Sequence, residues 1–294
     1  MLRCTLSGLI PLMMSGKYAG YAESFYEAET QHFQAVIRHE SYYLLRRLPV
    51  SISERLILPE LPSLLSSQKK NGMWKVKETE RITYDILAAL KYTGLFDNLY
   101  SNGSLKYSPL DYVRDRYDFY SLLIKSKIYQ KNNDKDIYAK TVVTAEILNK
   151  QKDNGSWDDT VTSTVVNIES LMDMDIEKDN SSVLRGVEFL FRNLNEKLDG
   201  IHTTAPYGLQ AGNMFTTKDR IKEFTSADKL KPEWIPRKLC FRTMAIIPDT
   251  VCLVLLIRLG MENDKRVESA LDNIYHLYNE YGGLCASNIK QPFL

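Results

Sequence analysis

Tryptophan is scarce in this chain, with three in 294 residues. Cysteine is nearly as rare: Cys4, Cys240, Cys252 and Cys285 lie far apart, and no Cys-x-x-Cys pair occurs. That scatter excludes the paired-cysteine zinc and redox motifs, and it leads us to expect a reduced, cytoplasmic protein. An excess of one charge is also missing, since 38 Lys and Arg face 37 Asp and Glu. A net charge of +1 and a pI near 7.6 give no electrostatic footprint for nucleic acid or an anionic membrane surface. No apolar run approaches the roughly 18 residues of a membrane span. The most apolar stretch, Cys252 to Leu259, reads instead as a buried helix. Phosphate-loop glycines, a Gly-x-Ser-x-Gly elbow and a His-Glu-x-x-His metal helix are all absent, which removes the commonest nucleotide, hydrolase and metalloprotease signatures.

What the chain does contain is a repeated phrase. Two of its three tryptophans close the same seven-residue pattern, Gln-x-x-x-Gly-x-Trp, at Gln68 to Trp74 and at Gln151 to Trp157. The copies read QKKNGMW and QKDNGSW and agree at five positions. Apolar residues at helical spacing follow each one: Ile82, Ile86, Leu87 and Leu90 in the first copy, and Val161, Val165, Ile168 and Leu171 in the second. Each unit therefore reads as helix, turn, helix. Asn71-Gly72 and Asn154-Gly155 supply the positive φ that such a turn requires. The Gln amide both donates and accepts, so it suits backbone groups left open at helix ends, and the Trp supplies a flat face with one N–H.

Fainter copies continue the pattern. Arg185-Gly186-x-x-Phe189-Leu190 leads to Leu194 at the Gln position, with Gly200-Ile201-His202 after it. Ser269-Ala270, Ile274 and Tyr278 lead to Gly282-Gly283-Leu284. Anchors at 68, 151, 194 and 278 are separated by 83, 43 and 84 residues, or two, one and two units of about 42. Silent units then centre near 110 and 236. About six helical hairpins cover the chain as one domain, residues 1–294, with 44% hydrophobic composition to fill a core. The final turn leaves too little chain for a returning helix, so the helical N-terminal region Tyr21 to Arg47 is expected to pair with the last helix.

The phrase Arg/Lys-Gly/Ala-x-x-aromatic-aliphatic-x-x-x-Gln-x-x-x-Gly-x-Trp resembles the repeat of the triterpene cyclases and of the β subunits of protein prenyltransferases. Residues 68–74 and 151–157 carry its second half, and Arg185 to Leu190 its first. The resemblance implies an all-α fold, an α/α toroid of inner and outer helical rings around an apolar cavity. It also implies a ligand of isoprenoid or lipid-like character.

Neither catalytic set of those families is intact. The cyclases protonate an alkene with Asp-x-Asp-Asp-Thr-Ala. The nearest segment is Ile246-Ile247-Pro248-Asp249-Thr250-Val251, where Asp249 and Thr250 match and Pro248 replaces the central acid. An alkene needs a neutral carboxyl held strongly acidic, so Asp249 is a candidate catalytic residue in a damaged motif. Pro248-Asp249 has equally the form of a helix start. The prenyltransferases hold zinc with Asp-x-Cys and a distant His. Here Asp249 and Cys252 are one residue too far apart and the surroundings of His276 do not match, so no metal and no cofactor are expected.

Other candidates come from position. Asp158 and Asp159, directly after Trp157, form an acidic pair suited to catalysis or Mg²⁺, or to the N-terminus of the next helix. Arg81 and Tyr84 share a helix face and suit a diphosphate. His202 and Tyr207, in His-Thr-Thr-Ala-Pro-Tyr, faintly resemble the diphosphate-binding segment of the prenyltransferases. Residues 214–236, charged and carrying Pro232, read as an insertion or lid. Met1-Leu2-Arg3 before Leu6 to Met14 has the outline of a leader, against which Cys4, Gly8 and Pro11 argue. The functional expectation is a cavity for an apolar or isoprenoid small molecule, with no nucleic acid and no membrane span. The alternative is a non-catalytic toroid that serves as a ligand-binding or protein-interaction scaffold.

Overall fold

Apolar residues at i, i+3 and i+4 spacing make helices wherever no Gly or Pro interrupts them, and the computed structural model of the protein is built from such helices. It describes residues 9–30, 42–74, 79–194 and 251–281, and among these there is no strand. The chain is therefore all-α in its described part. The insertion expected at 214–236 and the silent unit near 236 lie outside the described residues. No helix among the described residues is long and apolar enough to cross a membrane.

Contacts divide the chain into two compact units, residues 30–149 and residues 1–29 with 150–294. In the first unit the helices are α3 (Tyr42–Leu45), α4 (Val50–Ile57), α5 (Leu61–Ser66), α6 (Thr79–Tyr92), α7 (Leu95–Ser101), α8 (Leu110–Val113), α9 (Phe119–Leu123) and α10 (Asp134–Asn149). A 3₁₀ turn, Leu58–Glu60, joins α4 to α5, and a π-helical turn, Ile124–Ile128, prolongs α9. The centre of this unit is α6. Its residues 82–90 are buried without a break, so it is enclosed on every side, as a helix with apolar residues all round must be. It packs against α3, α7, α9 and the π-turn.

Lys125, in that π-turn, and Asp136, at the start of α10, form an ion pair with side chains only 5% and 3% exposed. The ammonium also donates to the Arg116 carbonyl at 2.8 Å, so the buried charge has the extra hydrogen bonds that make such burial tolerable. Asn133 and Asp136 exchange side-chain and backbone bonds (3.0 and 3.2 Å), which closes the N-terminus of α10.

The second unit holds helix α1 (residues 9–14), α2 (Ala19–Thr30), α11 (Val161–Asp173), α12 (Ser181–Asn193), a helical segment at 251–258 and, as the last helix, Lys265–Tyr281. Here α11 buries one face, Val161, Thr164, Val165, Ile168 and Leu171, and packs on α12. Residues 252–257 are buried in succession. Arg258 pairs with Glu169 of α11 at 3.0 Å, and the Arg266 guanidinium lies 3.6 Å over the Phe191 ring of α12.

Of the region Tyr21 to Arg47 expected to pair with the last helix, Tyr21 does so, together with Lys17 and Tyr18 before it. By contrast, α3 and Arg46 pack on α6, and residues 31–41 lie outside the described residues. Lys17 and Tyr18 both donate to Asp272, Tyr18 stacks on Tyr275 at 4.8 Å, and Tyr21 meets the same ring edge-on at 4.7 Å. Leu9, Ile10, Leu12 and Met13, which precede these residues in sequence, are at most 3% exposed. Hydrogen bonding to Asp272 holds the Lys17 ammonium well above its ordinary value.

Candidate functional site

Both Gln-Gly-Trp turns are built the same way. In the first, the Lys69 N–H donates to the Met73 carbonyl and the Gly72 N–H to the Lys69 carbonyl, each at 2.9 Å; Asn71 Oδ1 accepts from the Met73 N–H at 3.2 Å. In the second, Lys152, Ser156, Gly155 and Asn154 make the same three bonds at 2.9, 2.9 and 3.0 Å. The Gln side chain then crosses the turn: Nε2 of Gln68 donates to Gly72 O, and Nε2 of Gln151 to Gly155 O, both at 3.0 Å.

The same Nε2 reaches the segment at the start of a later helix. Gln68 donates to Tyr107 O at 2.8 Å, and Gln151 to Ser182 O at 2.7 Å. Gly72 and Gly155 have φ of +81° and +87°. A Cβ on Gly72 would lie 2.3 Å from Pro109 N, and one on Gly155 2.2 Å from Arg185 O. Glycine is therefore required twice over, by conformation and by the backbone pressed against it. Trp74 and Trp157 are 0% and 1% exposed. Their backbone N–H groups donate to Thr83 and Thr164 hydroxyls, both at 3.1 Å, and the Trp74 indole N–H donates to Leu64 O at 2.9 Å. Each turn thus ties the helix after it to the start of the next one, and the first is also bonded to the helix before it through Leu64.

Arg185-Gly186, the front half of the third copy, is the receiving surface for the second turn. The Arg185 guanidinium donates to Gln151 Oε1 at 2.7 Å. A Cβ on Gly186 would come within 2.8 Å of Ile168 Cδ1 and 3.1 Å of Trp157 Cζ3. The front half of one repeat is the socket for the back half of its predecessor.

Polar chemistry in the first unit gathers on the N-terminal half of α6. Arg46 donates to the Tyr84 hydroxyl at 3.1 Å, its Cζ lies 5.0 Å from that ring, and Nη2 is 3.9 Å from Asp85 Oδ1. Tyr84 and Asp85 are buried. A second trio repeats this chemistry: Arg116 lies 4.3 Å over Tyr112 and donates to Glu80 at 3.0 Å, and Tyr112 donates to the same carboxylate at 3.2 Å. Burial, and then the Glu80 charge, raise the Tyr112 hydroxyl above its ordinary value and keep it a donor. Below these groups α6 is apolar, Ile86 to Leu90. Of the two residues expected here, Tyr84 sits in the Arg46 trio, while Arg81 is only half-buried. Arg46 was not anticipated, because nothing local in the sequence ties position 46 to position 84.

Asp158 and Asp159 follow Trp157 with φ of +56° and +54°. The expectation that they open the next helix is corrected, since Thr160 is its N-cap and accepts from the Ser163 N–H. The Asp159 carboxylate is held by Lys152, by Asn154 Nδ2 at 3.0 Å and by Ser156 Oγ at 3.1 Å. Lys152 first, then Asn154, hold its carboxyl below the usual carboxylate range. Asp158 accepts from Ser163 Oγ at 3.2 Å. Asp249, His202 and Tyr207 lie outside the described residues. Cys252 is buried, and among the described residues no three His, Cys, Asp or Glu side chains gather as a metal centre requires. Comparison with protein-family models, with curated proteins and with solved structures returned no match.

Proposed function

We propose that the chain is a divergent α/α toroid of the terpene cyclase and prenyltransferase kind, whose central cavity takes an isoprenoid or similar lipid-like molecule. The observation that carries the reading is the pair of Gln-Gly-Trp turns. They share a hydrogen-bond pattern, and each is tied by its Gln side chain to the start of a later helix. A stitch of that kind, repeated along a chain, builds a closed or curved array of hairpins. The contact of residues 17–21 with the last helix supports closure of such a ring. Tyr84 and Asp85 of α6, joined by Arg46 from outside the helix, precede an apolar length, the order that a ligand with a polar head and an apolar tail requires.

The reaction expected is none of the proton-initiated cyclisations, because Pro248 stands where the central acid would be. Asp249 remains the candidate catalytic carboxyl, and Arg81, Tyr84, His202 and Tyr207 the candidate ligand-binding residues. The test is to incubate the protein with farnesyl and geranylgeranyl diphosphate and to measure both binding and products. Saturable binding without cyclised product is the expected result. Cyclised product would refute the argument from Pro248. Absence of binding would favour the scaffold, with the interior filled by the protein's own side chains.

A further inference from the structure

Helix α10 turns a row of apolar side chains outward. Ile137 is 57% exposed, Tyr138 72% and Val142 39%, and Thr141 and Ala145 are exposed beside them. Residues 137, 141 and 145 recur every fourth position, so with Tyr138 and Val142 they form one stripe. Of the residues buried on α10, Asp136 lies on the opposite side of the helix and Thr144 borders the stripe next to Ile137. The buried Lys125–Asp136 pair holds its N-terminal end in place. A surface helix ordinarily turns its apolar stripe inward, and an outward one marks an interaction site.

We infer that this stripe pairs with the same stripe of a second copy of the chain, the two helices running antiparallel. The charges flanking the stripe select that occupant. Lys135 and Glu146, both exposed, stand eleven residues apart, which is three helical turns to within about 20°, so they lie along one side of the stripe at its two ends. A two-fold axis crossing the helix at Thr141 sets Ile137 opposite the partner's Ala145. It also brings Lys135 within one residue's rise of the partner's Glu146, and the symmetry makes that pair twice. Parallel pairing sets the charged sides apart and forfeits both pairs. One helix face a side is a small interface, so the dimer is weak and depends on concentration.

Sedimentation velocity on the full chain over a range of concentrations reads this directly, with circular dichroism as the check that each variant folds. The mass should double as concentration rises. Tyr138→Glu should raise the dissociation constant by at least about tenfold, as loss of a central aromatic contact does. Lys135→Glu should weaken the dimer, and Lys135→Glu combined with Glu146→Lys should restore it. A single-chain mass at every concentration overturns the inference, whether or not the chain then adheres to phosphatidylcholine vesicles. So does a dimer indifferent to Tyr138→Glu, or a charge swap that fails to restore association.

Discussion

At the first turn Gln68 is 8% exposed, and one residue, Tyr107, takes both ends of its amide through the Tyr107 carbonyl and N–H. At the second turn the Gln151 amide is half-buried, and its oxygen goes to the exposed Arg185 guanidinium. The helices that follow differ in the same sense. Ten of the fourteen residues of α6 are buried against five of the thirteen in α11, where Val166 is 51% exposed. One local stitch therefore serves a helix enclosed on all sides and a helix packed on one face. The turn geometry is set within seven residues, whereas the burial around it is set by neighbours that those seven residues do not encode.

The largest expected effect breaks both stitches. Trp74→Ala and Trp157→Ala should each destabilise by about 3–5 kcal/mol in denaturant titration, with Trp74→Ala toward the upper end. A cavity beside enclosed α6 has less freedom to collapse than one beside half-open α11. Equal losses would show that the burial difference does not reach the turns, and a loss under about 1 kcal/mol would show that the ring does not hold the turn.

Gly72→Ala and Gly155→Ala come next, at about 2–4 kcal/mol each from backbone strain and overlap together. The overlap falls on backbone atoms in both copies, so these two variants should cost nearly the same. A difference above about 2 kcal/mol would mean that one turn can shift and the other cannot.

Smaller still are the side-chain bonds. Gln68→Ala should cost about 1–3 kcal/mol, since it strands hydrogen-bonding groups of Tyr107 and Gly72. Gln151→Ala should cost less, because its surroundings are open to water. Arg185→Ala should change stability by about 1 kcal/mol or less, as exposed charges do. Thermal unfolding of the three variants orders them. If Gln151→Ala exceeds Gln68→Ala, exposure is not what separates the copies.

The smallest effect is acid sensitivity confined to the second turn. Lys152 depresses the folded-state pKa of Asp159 below its unfolded value, so the stability it contributes is present above the ordinary carboxylate pKa and is lost as pH falls through the folded one. Asp159→Asn should therefore differ from the parent at pH 7 and converge with it only as pH falls through the depressed folded-state pKa, below the ordinary carboxylate range. A difference independent of pH would assign Asp159 to local hydrogen bonding alone.

Much of this organisation was readable along the chain. The helices flanking both turns, the positive φ at Gly72 and Gly155, the Gln crossing and the buried Trp rings all follow from residues within a few positions of one another. The Thr hydroxyl that accepts from each Trp N–H escaped notice because it stands nine residues after Trp74 and seven after Trp157, so a strict period hides it. Arg46 escaped for a different reason. Its partners Tyr84 and Asp85 lie 38 and 39 positions away, a distance that no helical periodicity spans.

By itself, then, the sequence determined the helical character of the described residues and the internal design of the two repeat turns, because hydrogen bonds and φ preferences act over a few residues. Only the tertiary structure decided which side chains meet across helices. It placed Arg46 over Tyr84, buried Lys125 with Asp136, clasped Tyr18 and Tyr21 onto Tyr275, and left Ile137 and Tyr138 facing out. Those outcomes depend on which helix packs against which. Burial is the summed result of contacts between distant segments, and a local pattern shows which face of a helix is apolar without showing what covers it.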